Sequence, residues 1–393
     1  MSQQLYAAID VGGTKIAAAL VDAEGTLLTR AELPTPPRGS AEEVMATVAK
    51  LVDRLAEDAR WPEVSGVGIG SAGPVDPVLG TVSPVNIPGW RDFPIVDRVR
   101  ELQPIGGADV LLTGDGSAMA AGEHWRGAAR GYDNALCLVV STGVGAGLIL
   151  DGALRTGPSG NAGHLGHITV DMDGDDCPCG SRGCLEIFAS GTSIARWAVQ
   201  NGWRLHSDNV VETNSRPTAT SATSAAATHA TSTASASFTA STKSTKTSVT
   251  TSTTRTTAAA TDAAANTPNM ANSANTASTA NTANTATTLL ITAADIAASA
   301  RQGDEIALAA FDRAGRALAA GIAATAMLVD IRAAVIGGGV AKAGDVLFDP
   351  LRRHLSRYAS FPFTRDIAIL PATLGSDAGL IGAAAALANA TTG

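Results

Sequence analysis

The chain of 393 residues is long enough for two domains. Its net charge of −8 and its pI near 5.3 give no positive field that would attract nucleic acid or an anionic membrane. The first residues have no secretory-signal pattern, and no apolar run reaches the roughly 20 residues that span a bilayer. We therefore expect a soluble cytoplasmic protein that binds neither nucleic acid nor membrane.

Hydrophobic patterning predicts a series of strands and helices along the chain. The predicted strands cover residues 5–9, 17–21, 64–69, 109–113, 135–140, 148–150 and 333–336. The predicted helices cover residues 40–60, 117–125, 192–200, 293–302 and 305–328, with one more after Gly339 and a last one after Gly379. Thr192 and Thr292 are the predicted N-caps of two of these helices.

The hairpin between the first two predicted strands is a candidate phosphate-binding loop. Its two adjacent glycines let a ligand approach backbone N–H groups closely, and the hydroxyl and ammonium groups that follow can reach phosphate oxygens. The acidic residue at the strand end can hold Mg²⁺ through water. An ordinary hairpin with a surface lysine is the alternative interpretation. The candidate residues are Asp10, Gly12, Gly13, Thr14 and Lys15.

Two further glycine-rich segments have the same character. The hairpin after strand 135–140 repeats the Gly-Thr pattern with Thr142, Gly143 and Gly145, and two such hairpins that face each other can clamp a polyphosphate. Gly337, Gly338 and Gly339 stand at a strand-to-helix turn. Glycines there let the backbone lie against a flat ring or a phosphate, although a tight βα turn is the alternative.

Asp115 follows the end of predicted strand 109–113. In a parallel sheet this edge is where α/β folds place their chemistry. Aspartate is also a routine N-cap, so a capping role for Asp115 is the alternative.

Three of the four cysteines fall within eight residues, at Cys177, Cys179 and Cys184, and His167 precedes them by ten residues. One imidazole and three thiolates form a closed tetrahedral set, typical of structural Zn²⁺. A disulfide or unliganded buried thiols are the alternatives, but a Cys-x-Cys ring is too short to close without strain. With three thiols assigned to a metal, we expect a reducing compartment.

The composition changes abruptly between about residues 213 and 288, which are nearly all Thr, Ala, Ser and Asn. Such a segment cannot bury enough apolar area to offset its ordering entropy. We predict a disordered low-complexity insertion that contributes nothing to the core and can be removed.

The segment from Gly163 to Glu186, with Gly-x-x-Gly-His followed by Cys-x-Cys-Gly-x-x-Gly-Cys-x-Glu, resembles the zinc and sugar signature of the ROK family of repressors and sugar kinases. The resemblance covers nearly the whole chain outside the insertion. It implies an α/β fold of the two-domain actin-like ATPase (ribonuclease H-like) type with an interdomain cleft. The implied domains are residues 1–116 and 117–377, with a last helix at about 378–393 that packs back on the first domain.

The resemblance also implies an ATP-dependent sugar kinase and its site residues. Asp115 matches the family's catalytic base, although the family's Asn-Asp-Ala-Asn reads Gly114-Asp115-Gly116-Ser117 here. The implied ligands are ATP with Mg²⁺, a hexose or N-acetylhexosamine phosphorylated on O6, and a structural Zn²⁺ ion, and we expect a homodimer. The implied sugar-binding residues are Asn86, His164, His167 and Glu186; the glycines at 337–339 match the adenosine-side motif.

Two questions stay open at the level of sequence. Family glucokinases carry Glu where this chain has His164, whereas family N-acetylmannosamine kinases share its His-x-Gly-His pattern, so the sugar is glucose or N-acetylmannosamine. The alternative functions are a sugar-responsive transcriptional regulator and a catalytically weak sugar-binding relative. We disfavour the regulator, because the first hairpin begins at Leu5 with no room ahead of it for a winged helix-turn-helix.

Overall fold

The computed structural model describes residues 4–36, 39–84, 86–205 and 291–392; the predicted insertion at 213–288 lies outside them. The strands are β1 Leu5–Val11, β2 Lys15–Asp22, β3 Leu27–Pro34, β4 Val64–Ser71, β5 Val75–Asp76, β6 Thr81–Val82, β7 Asp109–Gly114, β8 Ala135–Val140, β9 Val144–Leu150, β10 Ala153–Arg155, β11 Ala333–Gly337 and β12 Ala368–Pro371. The α-helices are α1 Ala41–Ala56, α2 Ile95–Arg100, α3 Asp115–Arg126, α4 Glu186–Ala189, α5 Gly191–Gln200, α6 Ala293–Arg301, α7 Glu305–Val329, α8 Asp345–Tyr358 and α9 Ala378–Thr392.

Two five-stranded sheets share one design. The first has the order β3-β2-β1-β4-β7, and the second has the order β10-β9-β8-β11-β12. Each contains an antiparallel hairpin, β1–β2 or β8–β9, whose first strand also pairs in parallel with a later strand. The two predicted phosphate hairpins are therefore equivalent turns in the two sheets.

Helices α3 and α9 lie in close contact between the sheets. Leu380, Ala383 and Leu387 of α9 pack on the first sheet against β1 and β2. Met119 and Ala120 of α3 pack on the second sheet against β8 and β9. The two helices approach closely because glycines stand where they cross: a Cβ added at Gly382 would collide with the main chain of Ala118. This packing places the start of α3 between the two sheets.

The outer faces of both sheets are also covered. Helix α1 and the segment around α2 cover the first sheet, with Trp90 fully buried in that core. Helices α4 to α8 pack with one face of the second sheet, where Phe311 of α7 and Trp203 are buried. No helix among residues 4–36, 39–84, 86–205 and 291–392 is long and apolar enough to cross a membrane.

The structure confirms most predicted elements and corrects some boundaries. Thr292 caps α6 in a capping box with Asp295, as predicted. The predicted cap at Thr192 is wrong: Ser190 is the N-cap, and its hydroxyl accepts the Ser193 N–H at 3.2 Å. The sequence reading also missed β3, an edge strand of half-exposed residues without a buried apolar run.

Candidate active site

Asp115 is the first residue of α3, directly after β7, and its carboxylate faces the second hairpin. Oδ1 accepts the Gly116 N–H at 2.7 Å, and a Cβ added at Gly145 would lie 3.3 Å from the same oxygen. Asp115 is exposed to solvent at its surface. Desolvation of the carboxyl by the protein atoms around it nevertheless raises the pKa of Asp115, with Glu186 raising it further, while the Gly116 N–H and His164 lower it.

Asp10, the predicted magnesium residue, is the next to last residue of β1 and lies within electrostatic range of Asp115. Burial and the Asp115 carboxylate raise the pKa of Asp10 to about 6, against the opposing charges of Lys15 and Arg30. The first turn of α9 covers this carboxylate: a Cβ added at Gly379 would lie 2.5 Å from Asp10 Oδ2. The start of the last helix therefore limits the space around Asp10.

In the first hairpin the turn is closed by a backbone hydrogen bond, and the hydroxyl of Thr14 is exposed. The Gly12 N–H donates to the Lys15 carbonyl at 3.0 Å, while the Thr14 side chain points to solvent. The Lys15 ammonium, predicted to reach phosphate, is paired with Glu32 at 3.0 Å. Arg30 also pairs with Glu32, and it pairs with Asp377, the residue directly before α9.

The second hairpin contacts a residue predicted to bind sugar. Glu186 Oε2 accepts the Val144 N–H at 2.7 Å, and a Cβ added at Gly143 would lie 2.7 Å from the same oxygen. Thr142 is exposed at the turn, and its carbonyl accepts the Thr192 hydroxyl at 2.9 Å. The second hairpin and the carboxylate of Glu186 are therefore in direct contact.

The four predicted metal ligands converge. The donor atoms of His167, Cys177, Cys179 and Cys184 all lie within 4.8 Å of one another. The Cys179 and Cys184 sulfur atoms are 3.7 Å apart, too far for a disulfide and close to the about 3.8 Å that two Zn–S bonds of about 2.3 Å give at a tetrahedral ion. His167 Nδ1 lies 3.8 Å from the Cys177 sulfur. Nδ1 is therefore the ring nitrogen that faces the cysteines, and Nε2 is the nitrogen on the other side of the ring. The donor set fits Zn²⁺.

The other predicted sugar residues lie beside these groups. The His164 ring stacks with the His167 ring at a centroid distance of 6.2 Å. Asn86 lies directly on the first hairpin, where the carbonyl carbon of its amide would be 2.5 Å from a Cβ added at Gly13. A side chain at Gly13 would therefore displace the amide of Asn86.

The glycine turn after β11 is partly explained by packing. Gly338 has a φ of +87° and lies on the Val140 carbonyl at the end of β8, so no other residue fits there without strain. Gly339 is exposed, with its nearest neighbour, the Ser141 hydroxyl, 3.9 Å from an added Cβ. Gly337 is buried. The turn therefore combines a tight βα connection with open backbone beside the second hairpin.

Sequence reasoning missed several residues that shape this site. Glu123 is fully buried in α3 and accepts hydrogen bonds from Ala128, Thr373 and Leu374. Gly379 bounds Asp10, and Asn161 contacts Val75 through its side-chain amide. A single glutamate in an apolar helical stretch is the signal that could have identified Glu123. Gly379 and Asn161 have partners far away in the sequence, so no local signal points to them.

The fold is that of the two-domain actin-like ATPases, with two mixed sheets of the same strand arrangement and helices packed on them. The chain belongs to the ROK family, which it matches over residues 6–246 and 269–390. It is similar to a glucokinase of Streptomyces coelicolor, with 30% identity over 378 residues that cover 96% of this chain and 95% of the relative.

Two further relatives are named as sugar kinases. An N-acetylmannosamine kinase of Yersinia pseudotuberculosis is 39% identical over 197 residues, which cover 50% of this chain and 64% of that protein. A ROK family glucokinase of Streptomyces griseus, solved in complex with glucose and AMPPNP, has a TM-score of 0.65 and 30% identity, and the match covers 97% of this chain and 98% of that one.

Proposed function

We propose that this protein is an ATP-dependent sugar kinase that transfers the γ-phosphoryl group to the 6-hydroxyl of a hexose or an N-acetylhexosamine. One observation carries the proposal: the Asp115 carboxylate faces Gly145 of the second hairpin and interacts electrostatically with Asp10 beside the first. His164 and Glu186, next to the cysteine cluster, act on the same carboxylate. The Asp115 carboxylate thus interacts both with the candidate phosphate loops and with the candidate sugar residues.

Asp115 is suited to act as the general base. Its raised pKa makes the Asp115 carboxylate a stronger proton acceptor than an aspartate in water, and the Gly116 N–H that donates to Oδ1 favours the ionised form. It accepts the hydroxyl proton as the sugar oxygen bonds to the γ-phosphorus and the bond to the ADP oxygen breaks. Positioning and electrostatics supply most of the rate enhancement in such transfers.

The groups proposed to contact the ATP phosphates lie mainly on the two hairpins. Thr14 and Thr142 present exposed hydroxyls at equivalent turns, and open backbone at Gly339 is available to the nucleotide. Asp10 would hold Mg²⁺ through water, and that ion neutralises charge on the phosphates when bound. Lys15 would have to leave Glu32 to contact a phosphate, an exposed pair that costs little to break.

The sugar side rests on the cysteine cluster. A structural Zn²⁺ ion would be held by His167, Cys177, Cys179 and Cys184. Such an ion would stabilise the folded conformation of this loop-rich segment. Glu186 follows Cys184 by two residues and is tied to the second hairpin, so the cluster fixes its position. The second nitrogen of His167 is then available to hydrogen-bond a sugar hydroxyl.

The test is a kinase assay on zinc-loaded protein with ATP, Mg²⁺ and a panel that includes glucose, mannose, N-acetylglucosamine and N-acetylmannosamine. We expect sugar-dependent ADP formation and a 6-phosphorylated product in ³¹P NMR. ADP formation that never exceeds the sugar-free background would defeat the proposal. A product phosphorylated elsewhere would keep the kinase and overturn the 6-hydroxyl. The homodimer is inferred from the family resemblance and is tested by light scattering.

A further inference from the structure

The side chain of Asn161, in the segment ahead of the cysteine cluster, holds that segment against strand β5. Its Nδ2 donates to the Val75 carbonyl at 2.8 Å and to the Ser159 carbonyl at 2.6 Å. Its Oδ1 accepts the Val75 N–H at 3.3 Å. All hydrogen-bonding groups of the amide are therefore engaged, and the main chain of Asn161 is held against β5.

That main chain in turn fixes the ring of His164. His164 Nδ1 lies 3.1 Å from the Asn161 carbonyl oxygen. A carbonyl oxygen can only accept, so Nδ1 must carry the hydrogen. In the neutral imidazole the other nitrogen, Nε2, is then unprotonated and accepts a hydrogen bond.

The Nε2 edge of the ring is open. His164 is exposed, and the residue facing this edge is a glycine: a Cβ added at Gly73 would lie 3.6 Å from both Nε2 and Cε1. Any larger residue would cover the nitrogen. His164 also lies within electrostatic range of Asp115, so the open acceptor belongs to the candidate active site.

We propose that Asn161 is a positioning residue that holds His164 in its Nδ1–H tautomer, so that Nε2 accepts one hydrogen bond from a sugar hydroxyl or acetamido N–H. A carboxylate at this position would accept from two adjacent hydroxyls; the imidazole accepts from one. Substrate choice at this point of the site therefore depends on a single, directional acceptor. The inference rests on the proposed sugar kinase function for the identity of the donor, but not for the tautomer.

The first test reads the tautomer directly. ¹⁵N-histidine labelling of the zinc-loaded protein, without sugar or nucleotide, gives signals for six histidines, and a His164→Gln variant assigns the relevant pair. We expect a protonated Nδ1 and an unprotonated Nε2 for His164. An Nε2–H tautomer would overturn the proposal. This result is independent of kinase activity, so failure of the proposed function and failure of the inference are distinguishable.

The second test removes the support. Asn161→Ala eliminates the three side-chain hydrogen bonds but keeps the main-chain carbonyl. We expect His164 to become a mixture of tautomers and the sugar KM to rise roughly tenfold, with kcat within about twofold. Asn161→Asp, which places an oxygen against the Val75 carbonyl, is expected to behave like Asn161→Ala.

Asn201→Ala is the matched control, because Asn201 also donates through its Nδ2 to a main-chain carbonyl, that of Trp197 at 2.8 Å, at the end of α5. It should change neither tautomer nor KM. If Asn161→Ala lowers thermal stability while the His164 tautomer and the sugar KM stay as in the parent, Asn161 is only structural and the proposal is wrong.

Discussion

Replacing the buried carboxylate of Glu123 with an amide is expected to loosen the helix that carries Asp115. Glu123 lies two turns after Asp115 in α3 and is inaccessible to solvent. Its Oε1 accepts the Thr373 and Leu374 N–H groups, each at 3.0 Å, and its Oε2 accepts the Ala128 N–H at 2.7 Å. The carboxylate therefore ties α3 to the loop that leads into α9.

The expected magnitude follows from these three bonds. In Glu123→Gln one oxygen becomes an NH₂ group, so at least one N–H faces a donor, which costs about 1–3 kcal/mol. The other two bonds lose their negative acceptor, which weakens each by about 1 kcal/mol. We expect the free energy of unfolding to fall by about 3–5 kcal/mol, a large share of the roughly 5–15 kcal/mol of a typical domain.

Two assays measure this effect. Urea unfolding of zinc-loaded protein gives the change in free energy, and hydrogen exchange at the Ala128, Thr373 and Leu374 amides should become about a hundredfold faster or more. Glu305→Gln, at an exposed position in the first turn of α7, is the control and should stay within about 0.5 kcal/mol of the parent. A loss below about 1 kcal/mol in Glu123→Gln would refute the reasoning.

Three other predictions concern the site itself. Cys179→Ser removes one of four metal ligands, so we expect weakened zinc binding and a lower melting temperature; unchanged zinc content by elemental analysis would contradict this. Gly379→Ala places a methyl group 2.5 Å from Asp10 Oδ2, and the displaced carboxylate should lower kcat by roughly tenfold or more while melting changes little; unchanged steady-state kinetics would exclude this crowding. His164→Glu should shift kcat/KM towards glucose relative to N-acetylmannosamine, and an unmoved ratio would show that His164 does not read the sugar.

Local spacing explains what the sequence predicted well. The cysteines and His167 are within 18 residues of one another, so their convergence depends on a few turns, and the structure brings all four donor atoms together. The two hairpins were equally visible, because glycine-rich turns between apolar strands are short-range signals. Asp115 was found at the end of its strand, and the structure places it there, as the first residue of α3.

What the sequence did not give depends on contacts between distant segments. Glu123 accepts a hydrogen bond from Thr373, 250 positions later in the chain. Arg30 pairs with Asp377 across 347 positions. The pairing of Lys15 with Glu32 follows from the β2–β3 register, and β3 itself was missed. Ser190 caps α5, while Thr192 lies inside the helix and its hydroxyl donates to the Thr142 carbonyl, 50 residues earlier.

The central claim, that Asp115 takes the proton of the sugar hydroxyl, is tested most directly by Asp115→Asn. The substitution keeps the side-chain shape and the oxygen that can accept the Gly116 N–H, but removes proton acceptance. Steady-state kinetics with the best sugar of the panel, together with calorimetric sugar binding, separates catalysis from affinity. We predict that kcat falls by roughly 10²-fold or more while the sugar still binds; a kcat close to that of the parent would place the base elsewhere.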